Sequence, residues 1–183
     1  MRVEESGLSR ADEISHQVMR LLDKRLYLML RLFAACRTGH ADAAGQQTRE
    51  ERLHDYDAVL FEWNDQLNSM LALMGTYFGK AGRDRLEAEI YLGFQRVGAR
   101  LEDLYRLSTV DSERRGVEAE VRQGLDDLND RVYRLGVFLA GQVLAGQVGR
   151  RALQPVQYVE SPGEVVGRGI PLLTPKAPEA PAG

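Results

Sequence analysis

Arg49 and His54 are the two residues of this chain whose types and spacing best fit a chemical reaction. Four residues separate them, which gives an Arg-x4-His pattern, and Arg10 and His16 form a second pair with five residues between them. A histidine can transfer a proton, and an arginine can stabilise the negative charge that develops on a phosphate group. The two pairs are therefore candidates for cleavage of RNA without a metal ion.

The Arg-x4-His pattern of Arg49 and His54 resembles the motif of HEPN-type ribonucleases, which are small helical proteins that pair as dimers. The resemblance covers only these few residues and implies that Arg49 and His54 are catalytic. Glu50 stands where that family often has an asparagine, and Glu50 and Glu51 would repel a phosphate. A HEPN-like ribonuclease is the alternative function, and no family resemblance covers the chain as a whole.

Two Glu-x-x-His pairs, Glu13 with His16 and Glu51 with His54, have the spacing that di-iron bundles use to place two ligands on one helix face. In an antiparallel hairpin the two pairs would lie more than about 20 Å apart at the helical rise, so they cannot share a metal ion within one chain. The chain also lacks a zinc signature. We therefore predict no metal and no cofactor.

Charge and composition exclude several classes of function. The formal net charge of −3 gives no global attraction for nucleic acid, so we do not expect nucleic acid binding. Cys36 is the only cysteine and the polar start lacks the apolar core of a secretory signal, which favours a cytoplasmic location. The longest apolar run, residues 137–148, is too short to span a membrane. Peripheral association stays open, and a coat on a membrane or storage granule, similar in outline to phasins, is the second alternative.

The distribution of proline divides the chain into a helical part and a tail. All six prolines lie at or beyond Pro155, and a long proline-free stretch is what uninterrupted helices require. We predict a flexible N-terminus over residues 1–9, a bundle over residues 10–153 and a tail over residues 154–183.

The apolar pattern predicts four helices before the tail. Helix one follows a Ser9 cap, and helix two runs from a Thr48 capping box to Gly79. Helix three covers residues 83–107 and helix four residues 112–151. Because the connections are short, consecutive helices should run antiparallel. We predict an all-α protein with an up-down-up-down four-helix bundle.

Each predicted helix carries an apolar stripe that should form the core. The stripe of helix two has the heptad spacing typical of coiled coils. The core residues predicted for the four helices in turn are Ile14, Val18, Leu21, Leu28 and Leu32; Leu53, Tyr56, Leu60, Trp63, Leu67, Met70, Met74 and Tyr77; Leu86, Ile90, Phe94, Val97, Leu101 and Leu104; and Val117, Val121, Leu125, Leu128, Val132, Leu135, Leu139 and Val143.

Asn64 and Asn68 lie one turn apart on a second stripe of helix two. We predict that both are buried polar residues, because an asparagine in a helix seam often fixes register and pairing. A small ligand held by both amides is left open.

Helix four should be the longest element, at about 60 Å for residues 112–151. Its excess would project past the bundle as an apolar segment with small residues, which favours contact with another copy or with a partner. The interaction residues predicted there are Leu139, Val143, Leu144 and Val148. A break at Gly116 or Gly124 is the alternative and would leave no overhang.

The tail is rich in Pro, Gly and Ala, which predicts an extended or disordered segment. It contains short apolar stretches around Tyr158 and around Ile170, Leu172 and Leu173, which a partner could bind as an added strand or in a groove. Docking onto this protein's own helices and a spacer role are the alternatives.

These observations favour a non-catalytic interaction or scaffold protein. It would form a homo-oligomer through the end of helix four and bind a protein partner, whose identity the sequence does not give, through the tail.

Overall fold

A computed structural model describes residues 2–38, 43–107 and 112–149, which are almost entirely helical and include no β-strand. The all-α class predicted from the sequence is confirmed. The longest elements have 37, 42 and 33 residues. In chain order the elements are α1 (Arg2–Thr38), α2 (Ala43–Asp84), a π-helical segment (Arg85–Tyr91), α3 (Leu92–Arg106) and α4 (Ser112–Leu144).

The core is one apolar cluster to which every helix contributes. The stripes predicted for α1, α3 and α4 are buried, apart from half-buried Leu28, Val117 and Val143, because residues three and four apart share one helix face. On α2 the buried residues are Tyr56, Val59, Trp63, Met70, Met74, Phe78 and Gly82. The other four members of its predicted stripe are only half-buried: Leu53, Leu60, Leu67 and Tyr77.

The chain reverses within α2 at Gly79, whose backbone is non-helical with φ 67° and ψ −171°. A positive φ is open to glycine at little steric cost. Before and after this point the residues pair in antiparallel order. Arg49 donates a hydrogen bond to the Tyr105 carbonyl, and the Tyr56 hydroxyl lies against Gly98. The break predicted at Gly79 to Gly82 is therefore found.

α3 and α4 also run antiparallel and approach closely. Arg100 forms an ion pair of 2.9 Å with Glu120, and Arg131 donates to the Glu89 carbonyl further along. A Cβ on Gly124 would lie 2.6 Å from the Val97 side chain, so the small residue allows this approach. Gly116 and Gly124 both lie inside α4 and do not break it.

α1 packs between α2 and α4. Lys24 forms an ion pair of 2.6 Å with Glu62 of α2, and Arg37 forms one of 2.7 Å with Glu118 of α4. Both are partly exposed and contribute little to stability individually. The two ion pairs show which side of α1 faces α2 and which side faces α4.

Two predicted helix starts are too late. α1 begins at Arg2, so residues 2–9, which were predicted to be a flexible N-terminus, belong to a helix and Ser9 is not its cap. α2 begins at Ala43, and Thr48 donates to the Ala44 carbonyl inside the helix instead of capping it. A serine or threonine can satisfy its hydroxyl on the preceding turn, so the local pattern did not identify the true ends.

The predicted overhang of helix four is wrong for the described residues. α4 ends at Leu144, where the Gly146 N–H bonds to the Val143 carbonyl and the Gln147 N–H bonds to the Gln142 carbonyl. With Gly146 at φ 61°, this is a Schellman C-cap. The chain then turns back, and the Gly149 N–H bonds to the carbonyl of Tyr77 in α2.

Candidate interaction surface

An exposed apolar stripe lies on the outer face of α4. Tyr133 is 70% exposed, Val137 56% and Leu144 88%, and Ala140 between them is also exposed. The steps of four, three and four residues keep these four side chains on one face of the helix. We call these residues the α4 stripe.

A groove lies between α1 and α4, and Tyr133, Val137 and Ala140 of the α4 stripe form part of its lining. Its volume is about 570 Å³, and Met19 forms part of its wall. Gly136 leaves room there, since a Cβ at that position would lie 3.1 Å from the Met19 Cε atom. Asp23 and Asp130 line the same groove and give it an acidic edge. The surface thus presents an apolar ridge next to a groove.

The residues predicted to mediate interaction fall into three groups. Leu139 is fully buried and Val148 is 6% exposed, so both belong to the core and their predicted place in an interface is wrong. Val143 is partly buried against that core, and Leu144 is open. The tail residues Tyr158, Ile170, Leu172 and Leu173 lie outside the described residues. Val148 is buried because the C-cap at Gly146 ends α4 and folds the following residues back onto the helices.

Asn64 and Asn68 are both exposed, so the prediction that they are buried polar residues is wrong for the single chain. Phe61, on the same side of α2, is 76% exposed. Trp63 and Val59 occupy the buried side instead, because α1 packs there and the Phe94 ring of α3 contacts Trp63. Asn64 nevertheless lines a groove between α2 and α3, whereas Asn68 does not.

The structure does not bring the Arg49 and His54 side chains to one place. The Arg49 guanidinium contacts the Tyr105 ring, with a distance of 4.8 Å to its centroid, and also bonds to the Tyr105 carbonyl. His54 is exposed, and five residues along a helix turn it about 140° away from Arg49. In the second pair, Arg10 contacts Glu13, and the His16 ring contacts the Asp12 carbonyl.

Among the described ranges, no three His, Cys, Asp or Glu side chains come together in a way that could hold a metal ion. The described histidines, His16 and His54, lie on α1 and α2 and are both exposed. His40 lies outside the described residues.

Two buried arginines were missed by the sequence patterns. Arg25 and Arg114 are each 2% exposed. Arg25 interrupts the apolar stripe of α1 midway between Leu21 and Leu28, and that gap at a core position was the available signal. Arg114 gives no comparable signal, because it stands in the polar first turn of α4.

Arg114 ties three chain segments together at one end of the molecule. Its guanidinium donates to the carbonyls of Leu104 and Leu107, at 3.3 and 2.5 Å, and to the carbonyl of Cys36. These carbonyls lie at the C-terminal ends of α1 and α3, where backbone acceptors lack helical partners. A positive charge there also complements the helix dipole.

Cys36 lies fully buried beside this arginine. Burial raises the pKa of its thiol above the ordinary value, and the nearby charges of Arg49 and Arg114 oppose that shift. The thiol is therefore held in its neutral form, which is the less reactive one.

No protein-family model, curated protein or solved structure matches this chain. None of the described helices carries an apolar run long enough to cross a bilayer.

Proposed function

We propose that this protein is a non-catalytic helical scaffold that forms an up-down-up-down four-helix bundle and self-associates through the α4 stripe. Lys24 and Gln17 of α1 contact Glu62 and Gln66 of α2 in antiparallel order. With the antiparallel pairs of α3 with α4 and across Gly79, these contacts support that topology. The observation that carries the self-association is the exposure of Tyr133, Val137 and Leu144 along one helix face.

Burial of these side chains would supply a substantial driving force. Fully burying one large apolar side chain is worth about 2 kcal/mol, so three of them in each copy offset a large part of the entropy lost on association. Scattered single apolar residues need no such explanation, but a stripe of four at heptad steps does.

A second copy of this chain is the occupant that fits the surface. In a two-fold dimer the same patch lies on both partners, so it must be complementary to itself. Here the ridge of Tyr133 and Val137 lies next to the groove lined by Met19 and Gly136. The ridge of one copy can therefore enter the groove of the other.

Sedimentation equilibrium of the full chain tests the self-association. We expect the wild-type protein to be oligomeric, and Val137→Glu and Leu144→Glu each to shift it to monomer, because a carboxylate in the interface would be buried without a partner. Phe61→Glu is the matched control, since it adds the same charge at an exposed apolar site on α2. A wild-type chain that sediments as a monomer, or an equal effect of all three changes, rejects this interface.

We assign partner recruitment to the tail, on sequence grounds alone. Residues 170–173 combine apolar side chains with a proline that resists helix formation. A chain that ends at Leu153 should then keep its oligomeric state but lose a bound protein partner in affinity capture from the native host. Leu172→Asp with Leu173→Asp in the full chain should have the same effect. Retention of the partner by both variants would exclude this role of the tail.

A further inference from the structure

A groove between α2 and α3 has a buried arginine at its floor. Arg25 reaches it from α1, and the volume of the groove is about 360 Å³, which lies within the range of small-molecule sites. Tyr56 and Asn64 of α2 line one wall, and Gln95 and Gly98 of α3 line the other. The groove therefore joins apolar surface to several hydrogen-bonding groups around one positive charge.

The guanidinium of Arg25 lies between two aromatic rings. Its central carbon is 5.3 Å from the Trp63 centroid and 4.6 Å from the Phe94 centroid. The Arg25 and Tyr56 side chains are hydrogen-bonded, and the Nε and Nη1 atoms of Arg25 are buried without a hydrogen-bond partner among the described residues. The buried indole N–H of Trp63 also lacks an acceptor there.

No carboxylate of the described residues forms an ion pair with Arg25, and this is unusual for a side chain that is 2% exposed. Arginine is almost never fully buried without a partner, because removing an ion from water is costly. Burial lowers the pKa of Arg25 below its ordinary value, and the Tyr56 side chain offsets part of that shift. Arginine stays protonated in proteins, so the groove has at its floor a cation without a counter-charge.

We propose that this groove binds a small organic carboxylate, with its negative charge at Arg25 and its apolar body between α2 and α3. The charge of a guanidinium is delocalised over the whole group, so an anion at the groove floor is attracted whichever nitrogen it contacts. The Tyr56 and Tyr91 hydroxyls and the Asn64 amide supply further donors along the lining, and the Gln95 amide donates to the Tyr91 hydroxyl at 2.6 Å.

A single negative charge fits this groove better than a phosphate does. Only one arginine lines it, and Glu102 at the rim adds a negative charge. The Glu102 carboxylate forms an ion pair of 3.4 Å with Arg106. Arg106 lies one helical turn further along and does not line the groove. A phosphate group carries about −1.5 to −2 charges at neutral pH, which one arginine beside a glutamate would not compensate.

Calorimetric titration of the full chain with benzoate tests this assignment. Benzamide, with the same shape and no charge, and inorganic phosphate are the comparison probes. We expect saturable binding of benzoate, with benzamide and phosphate weaker by about tenfold or more. The chain contains one tryptophan, so the indole signal of Trp63 in a proton–nitrogen correlation spectrum should shift with benzoate and report the place of binding.

Two variants test the location of the site, one at a buried residue and one at an exposed residue, so that a folding defect in the first does not leave the test without a result. Arg25→Met should lower benzoate affinity by about tenfold or more, because it removes the charge. Ala99→Phe should do the same from the exposed rim of the groove, where a bulky side chain blocks entry without entering the core. Arg31→Met is the control, since Arg31 also lies over an aromatic ring, 5.6 Å from the Tyr27 centroid, but outside this groove. Equal binding of benzoate and benzamide, no saturable binding to the wild-type chain, or unchanged affinity in both groove variants would overturn the proposal.

Discussion

The two buried arginines of this chain are equally hidden from solvent but are surrounded very differently. Arg114 lies where helices end, and its guanidinium donates to backbone carbonyls of α1 and of the C-terminal end of α3. Arg25 lies midway along α1, where every neighbouring carbonyl is already bonded within a helix, and it faces aromatic rings. A buried charge thus stabilises this fold at the helix ends, whereas in the middle of a helix it is left with unused donors.

This difference separates a structural residue from a binding residue. The carbonyls at helix ends need donors, so a guanidinium there satisfies groups that would otherwise be unpaired. The aromatic rings around Arg25 attract its charge but accept no strong hydrogen bond from it. The charge of Arg25 is therefore left without a counter-charge, which suits it to an anion that enters from the groove.

The largest effect that we predict on this comparison is that of Arg114→Met. The change leaves three buried or partly buried carbonyls without a donor, so the free energy of unfolding should fall by about 3 kcal/mol. Urea unfolding followed by circular dichroism measures this loss. Arg37→Met, which breaks an exposed ion pair at the same end, should cost only about 0.5 kcal/mol. Equal losses in the two variants would show that the hydrogen bonds of Arg114 to the helix-end carbonyls do not stabilise the fold.

Arg25→Met should change stability much less. Methionine fills a similar volume and leaves no backbone carbonyl unpaired, while the lost attraction to Trp63 and Phe94 is offset by removal of a buried charge. We expect the free energy of unfolding to stay within about 1 kcal/mol of the wild-type value. Thermal unfolding of this variant beside the wild-type chain checks this, and a loss as large as that of Arg114→Met would remove the contrast.

The smallest effect that we predict is a dependence of the free energy of unfolding on pH, caused by Cys36 beside Arg114. Burial raises the pKa of Cys36, so the thiol ionises at a lower pH in the unfolded chain than in the folded chain. Its contribution to stability is complete below the pKa of the unfolded thiol, about 8.5, and is lost as the pH rises towards the folded pKa. Urea unfolding between about pH 8 and pH 10 should show this decline, and Cys36→Ala should flatten it. The same slope in both chains would assign the decline to other groups, such as Tyr56, whose pKa burial also raises.

The core of this fold was predictable from the sequence, and its ends were not. Leu86, Ile90 and Phe94 are buried as predicted, because helical spacing alone places them on one face. The helix ends depend on competing local hydrogen bonds, which is why α4 stops at the Gly146 cap and not at Arg151.

Charged and polar positions were the hardest to predict, because their environment is set by neighbouring helices. The exposure of Asn64 depends on the side from which α1 and the Phe94 ring of α3 approach α2, and no pattern within α2 specifies that. The site around Arg25 likewise needs Trp63 and Phe94, which are distant in sequence. Only the gap in the apolar stripe of α1 indicated its position.

The measurement that tests the contrast between the two arginines most directly is the free energy of unfolding of three chains as a function of benzoate concentration. A ligand that binds only the folded state raises this free energy with the logarithm of its concentration once it exceeds the dissociation constant. We predict such a rise in the wild-type chain and in Arg114→Met, whose groove is intact, and in Arg25→Met only at benzoate concentrations about tenfold or more higher. A rise of the same size in all three chains, or in none, would contradict the division of the two buried arginines into a binding residue and a structural one.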